Sequence, residues 1–164
     1  AIHPGMSTWE INKLGEEMIR SFGCTPNFLN YNGYPASICV SVNEEVVHGI
    51  PSKKRILKEG DIVSLDAGLI YEGYHSDAAR THAVGEISPE ARKLVEVTRQ
   101  AFFEGIKYAK AGHHLHEISA AIGAYAESFG YGVVRDLVGH GIGTHLHEDP
   151  AVPNFAQPSR GVRL

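Results

Sequence analysis

The sequence predicts an α+β fold with an antiparallel or mixed sheet. Three observations carry this expectation. Asp61 to Ile70 is strongly β-prone, Gly73 supplies a turn and Tyr74 to Val84 returns, the pattern of a long β-hairpin. Two capped, helix-periodic stretches follow one another between Ser88 and Gly130. Strands and helices thus arrive in runs rather than in strict alternation, which argues against a purely parallel sheet.

The elements follow in order. The start, Ala1 to Gly5, is loop-like. Ser7-x-x-Glu10 is a capping box, and Ile11, Leu14, Met18 and Phe22 follow at helical spacing up to Gly23. Thr25 to Pro35, rich in Asn, Pro, Gly and Tyr, reads as loop. Ser37 to Val42 reads as a β-branched strand, Val46 to His48 as a second, and Ser52 to Gly60 as a basic turn region. Asp61 to Ile70 and Tyr74 to Val84 form the hairpin. Ser88 caps a helix with Pro89 in its first turn and Leu94, Ala101, Phe102, Ile106 and Ala109 on its apolar face, ending at Gly112. A further helix runs from Leu115 to Phe129, with Ile118, Ala121, Ile122, Tyr125 and Phe129 on one side and Gly130 as its stop. Val133 and Val134 open a strand leading into Gly139-His140-Gly141-Ile142-Gly143.

Composition excludes several classes. The 164 residues suit one domain, or one incomplete larger one, and 43% hydrophobic with 21% charged content is ordinary for a globular protein. A net charge of −4 argues against a nucleic-acid binder. No apolar run is long enough to span a membrane, and no signal peptide is visible. Cys24 and Cys39 form no CxxC pair and read as two reduced thiols in a cytoplasmic protein. Of the ten histidines, His113, His114 and His116 sit at a helix start and read as solvated.

The chemistry concentrates in the hairpin. A Tyr71-Glu72 loop sets Asp66 opposite Asp77; a Glu72-Gly73 loop pairs Asp66 with Ala79 and leaves Asp77 one diagonal away. Side chains alternate along a strand, so either loop puts both aspartates on one face, with Val63, Leu65 and Leu69 pointing the other way into a core. Two carboxylates held that close repel, and a divalent cation between them removes the conflict. The alternative is a solvated pair. His140, among three glycines, adds an imidazole of the kind that binds Zn, Fe, Co or Mn; the alternative is a core histidine on a bent strand. His48 and His147 are candidates for proton work. His145 and His147 share a face if that stretch is extended.

These residues also carry a resemblance. Tyr31-Asn32-Gly33-Tyr34-Pro35, Ser37-Ile38-Cys39-Val40-Ser41-Val42-Asn43, His48-Gly49-Ile50-Pro51, the spacing from Gly60-Asp61-Ile62-Val63 through Asp66 to Asp77, and Gly139-His140-Gly141-Ile142-Gly143 with His147-Glu148-Asp149-Pro150 resemble type I methionine aminopeptidase along nearly the whole chain. The resemblance implies the pita-bread fold, here as one incomplete catalytic domain over residues 1–164, and hydrolysis assisted by two divalent metal ions, removing the initiator methionine from nascent chains. By matching position, Asp66 chelates one metal, Asp77 bridges both and His140 is the imidazole ligand. His48 and His147 position the substrate and steady the tetrahedral intermediate. Tyr31, Tyr34 and Cys39 build the methionine pocket, with Phe28 and Leu146 as weaker candidates; a flexible thioether side chain suits such a pocket.

The family's two glutamate ligands have no counterpart before Leu164, and the helix that usually precedes Pro4-Gly5 is absent, so the resemblance is to a form truncated at the C-terminus and clipped at the start. Two divalent ions bring four positive charges, and Asp66 and Asp77 return two. This chain alone is therefore expected to hold fewer ions than the family does, or none, and to be nearly inactive. Unpaired sheet edges make a strand-exchanged oligomer plausible. The expected partner is a peptide or nascent-chain N-terminus, with ribosome association in the cytoplasm and no membrane or nucleic-acid motif. An aminopeptidase P or prolidase-like peptidase and a non-catalytic pita-bread peptide-binding module are the alternative readings.

Overall fold

The structure, a computed structural model, describes residues 2–164; Ala1, the first residue of the loop-like start, lies outside it. The chain divides into two compact units, Ala1–Ala91 with Ile142–Leu146, and Arg92–Gly141 with His147–Leu164.

The first unit is a helix on a sheet. The capping box at Ser7 forms as expected: the Ser7 hydroxyl accepts from the Glu10 amide at 3.2 Å, and the Ser7 amide donates to the Glu10 carboxylate at 2.8 Å. It starts α1 (Thr8–Ser21). The buried stripe is Thr8, Ile11, Asn12 and Ile19, and Leu14, Met18 and Phe22 of the expected face are exposed. The reason lies in polar anchoring. The Asn12 carbonyl oxygen accepts from the Ser37 and Ile38 amides at 2.9 and 3.1 Å, and Gly15 lets Ile38 approach, so α1 turns that side to the sheet.

The sheet is antiparallel throughout. Strands β3 (Ile62–Tyr71) and β4 (Tyr74–Ala83) form the hairpin over the Glu72-Gly73 turn, where both residues have positive φ, as a tight two-residue hairpin turn requires. The other edge of β3 is shared. β2 (Ile38–Val42) pairs with its first half, and β1 (Thr25–Pro26) pairs at Leu69 and Ile70. The segment read as loop from Thr25 thus contains a short strand and then a 3-10 turn at Tyr31–Gly33. The strand expected at Val46 to His48 does not form. Asn43 and His48 both have positive φ, and the chain doubles back until Gly49 accepts from the Val40 amide at 2.9 Å. One sheet face packs Ile38, Val40, Val42, Val63, Leu65 and Leu69 with Ile11, Ile19, Leu57 and Val84 in the core, as the alternation requires.

The second unit holds most of α2 (Pro89–Ile106), α3 (Leu115–Ser128) and the ribbon β5 (Gly139–Gly141) with β6 (Glu148–Val152). α2 stops at Ile106, earlier than expected, and of its expected apolar face only Ala101 is buried; Val97 and Gly105 complete the stripe. Small residues decide this. A side chain at Gly105 would begin 2.5 Å from Ile122 of α3, so the helices meet at close range there and the aromatics are left outside. His113, His114 and His116 are not simply solvated. His113 pairs with Glu117 at 3.0 Å, the His114 amide donates to Glu117 at 2.7 Å, and His116 Nδ1 accepts from the Gln157 amide at 3.1 Å. Val133 and Val134 form no strand: glycines at 130 and 132 break the run, and Val134 stays exposed. Residues 143–147 bend, so His145 and His147 share no extended face. Among the described residues no helix is long and apolar enough to cross a membrane.

Candidate metal centre and side-chain pocket

The register places the chemistry on the sheet face away from the core. Asp66 pairs with Cys39 on one side and Ala79 on the other, and Gly68 pairs with Asp77. The even positions of β3 therefore share a face with Cys39, Ser41, Asp77, Ala79 and Thr81. The hydrogen bond between Ser64 and Thr81 at 2.7 Å lies on that face and fits the register. Asp66 and Asp77 are one diagonal apart, within side-chain reach.

Their electrostatics reflect that closeness. Burial, then the hydrogen bond to Asp77 and its negative charge, push the Asp66 carboxyl up to about 7. Two carboxylates within side-chain reach on one face are a donor set that fits a divalent cation. Among the described residues, no group of three or more His, Cys, Asp or Glu side chains gathers into a metal cluster.

Next to the acids lies a buried apolar cluster. Cys39, directly across from Asp66, packs with Phe28 and Leu146, and Tyr34 closes against them. The residues read as weaker pocket candidates are thus among its buried core. The Tyr34 hydroxyl donates to the carbonyls of Ile38 and Gly49 at 3.2 and 3.0 Å, and burial, above all, pushes it up. Burial also pushes the Cys39 thiol up to about 11; the Tyr34 hydrogen bond opposes this, and the charges of Asp66 and Asp77 add to it. Tyr31 lies on the 3-10 turn and is 40% exposed.

His48 stands on the loop after β2, held by its neighbour. The Gly49 amide donates to the Ser41 hydroxyl at 3.0 Å, and its carbonyl takes both the Val40 amide and the Tyr34 hydroxyl. A side chain at Gly49 would sit 2.3 Å from the Val40 carbonyl, so only glycine fits.

In the second unit, His140 lies on β5 with Nδ1 2.8 Å from the Gly141 carbonyl, and its ring centroid is 4.3 Å from that of His147. The two histidines predicted for different roles are neighbours. Sequence reasoning missed Asn27, which lies in the segment read as loop; its carboxamide donates to the Ser76 carbonyl at 3.1 Å, and its backbone amide to Gly68 at 3.2 Å.

The scaffold is antiparallel α+β and carries paired acids beside a buried apolar cluster. The model of metallopeptidase family M24 matches residues 1–164, and the chain belongs to that family. It is 56% identical over 164 residues to a methionine aminopeptidase of Clostridium acetobutylicum, covering 100% of this chain and 66% of that protein. It is 50% identical over 163 residues to methionine aminopeptidase 1 of Bacillus subtilis, covering 99% and 65%. The crystal structure of methionine aminopeptidase from Thermotoga maritima superposes with a TM-score of 0.96 at 47% identity, covering 99% of this chain and 66% of that one. The pita-bread architecture expected from the resemblance is that of these neighbours. The chain spans just under two thirds of the length of these relatives.

Proposed function

We propose that this chain carries the paired-acid and side-chain-binding portion of a cytoplasmic aminopeptidase that removes an N-terminal methionine from peptides and nascent chains. Asp66 and Asp77, with His140 as the imidazole donor, would hold divalent ions of the Mn, Fe, Co or Zn type. When bound, such ions polarise a peptide carbonyl and make a water acidic near neutral pH. Tyr31, Tyr34 and Cys39, backed by Phe28 and Leu146, receive the methionine side chain. His48 and His147 orient the scissile bond and stabilise charge on its oxygen.

The observation that carries the reading is the pairing of Cys39 with Asp66. Pocket floor and acid sit on adjacent strands, about 5 Å apart. A residue seated by its side chain in the pocket thus presents its own amine and carbonyl to the acids, which selects the first peptide bond. The names of the relatives supply the substrate class. The test is elemental analysis with a Met-Ala-Ser assay, on this chain and on a version lengthened to the relatives' size. Weak binding of at most one ion and little turnover here, with two ions and rapid release of methionine in the longer form, is the expected result. Preference of the longer form for Ala-Pro-Ala would favour a proline-directed peptidase instead, and two tightly held ions in the short chain would refute the division of ligands.

A further inference from the structure

Asn27 follows β1 and stands in register with Gly68, whose carbonyl accepts its amide at 3.2 Å. Gly68 in turn pairs with Asp77. Asn27, Gly68 and Asp77 therefore form one row across three strands. Side chains in such a row normally meet their neighbours. Gly68 has none, and the Asn27 carboxamide fills its place. A Cβ built on Gly68 would fall 2.1 Å from Asn27 Oδ1, while Nδ2 reaches the Ser76 carbonyl of β4 at 3.1 Å. The side chain thus crosses β3 completely and ends beside the backbone of Asp77.

Asn27 is only 5% exposed, and its Oδ1 is buried with no hydrogen-bond partner. A buried acceptor left unpaired is costly and calls for an explanation. Packing supplies one. Asp66 and Asp77 repel when both are ionised, and the open space above a glycine is where Asp77 would turn to escape. We propose that Asn27 is a positioning residue for the ion-binding pair: its carboxamide lies over Gly68 as a stop that keeps the Asp77 carboxylate turned toward Asp66. This rests on the reading above, that the two acids hold a divalent ion. It adds that the segment carrying Phe28, the next residue, braces both the pocket and the acids, so one short stretch sets the spacing between them.

The test is the dissociation constant for Mn2+, followed by electron paramagnetic resonance on the chain lengthened to the relatives' size, with circular dichroism at the same temperature as the control for folding. Asn27→Ala opens the space and is expected to weaken binding about tenfold, the scale typical of residues that support a ligand. Asn27→Leu keeps the bulk and drops the unpaired oxygen, and is expected to stay within about twofold of the wild type. Gly68→Ala alone drives the carboxamide aside and weakens binding; adding Asn27→Ala to it strengthens binding again, because the new methyl refills the space. That reversal of sign is not expected from a general loss of stability. Should Asn27→Ala not fold, the Leu variant and the Gly68 pair carry the same comparison. Asn27→Ala binding as well as wild type, Asn27→Leu binding as poorly as Ala, or a double variant no better than Gly68→Ala would overturn the proposal. A lengthened wild-type chain that takes up no Mn2+ at all would instead overturn the metal reading, and the proposal with it.

Discussion

Stability of the metal-free chain should fall as pH rises through the neutral range, and the Asp66–Asp77 pair sets the size of the fall. The Asp66 carboxyl ionises near 3.8 when unperturbed and at about 7 in the folded chain. Below pH 4 it is protonated in both states and the pair costs nothing. Between pH 4 and 7 the unfolded chain gives up its proton first, so folding loses free energy steadily; above 7 the loss is complete. A displacement of that size corresponds to at most about 4 kcal/mol. Asp66 keeps partial contact with solvent, and screening reduces the figure to about 1–2 kcal/mol. For a chain of this length that is a drop in Tm of about 3–6 °C between pH 4.5 and 8, beyond any common trend. The assay is thermal unfolding by circular dichroism in chelator, for wild type and Asp77→Asn. The variant removes the like charge and offers an N–H to ionised Asp66, so its curve against pH should be flatter and its Tm at pH 8 higher than wild type. Mn2+ at ten times its Kd should add about 1.4 kcal/mol to the wild type at pH 8 and much less to the variant. Equal pH dependence in the two proteins, or equal stabilisation by Mn2+, would refute the argument that the two carboxylates share one proton or one ion.

Gly49→Ala puts a methyl 2.3 Å from the Val40 carbonyl and 2.7 Å from Ser41 Cα, both backbone, and should cost about 1–3 kcal/mol in urea unfolding while displacing His48. A variant as stable as the parent would show that this loop is not pinned. Cys39 is 4% exposed and its thiol is pushed up to about 11, whereas Cys24 is half-buried. Iodoacetamide at pH 8 should therefore give a single adduct by mass spectrometry, at Cys24; early labelling of Cys39 would mean that the pocket opens. Ser7→Ala removes the N-cap acceptor and should cost about 1 kcal/mol in the same unfolding assay.

What the sequence displayed was periodicity. The hairpin, the capping box of α1 and the common face of Asp66 and Asp77 all follow from local spacing, and all appear as expected. What it hid were helix faces decided by contact with small residues. Leu14, Met18, Phe102 and Ile106 fall on helical stripes, yet each is exposed, because Asn12 with Gly15 and Ala101 with Gly105 let the backbone approach more closely on another side. The same blindness affected the loops. Val46 and Val47 are β-branched, but the positive φ at Asn43 and His48 turns the chain away from the sheet, and nothing in the propensity of valine foretells that.

The site shows the same division more sharply. The acids were visible because carboxylates at alternating positions on a hairpin can be placed by parity alone. Asn27 was invisible because its place depends on a pairing between residues far apart in the chain, β1 with the end of β3, and on the absence of a side chain at Gly68. A glycine in the middle of a strand was the available signal, since it marks close approach by another group. The site is thus specified twice over: once by charged residues that local periodicity positions, and once by a vacancy that only the sheet order fills. The proposed role of Asn27 ties the second specification to the first, since two repelling carboxylates have room to turn apart only if the space above Gly68 is open.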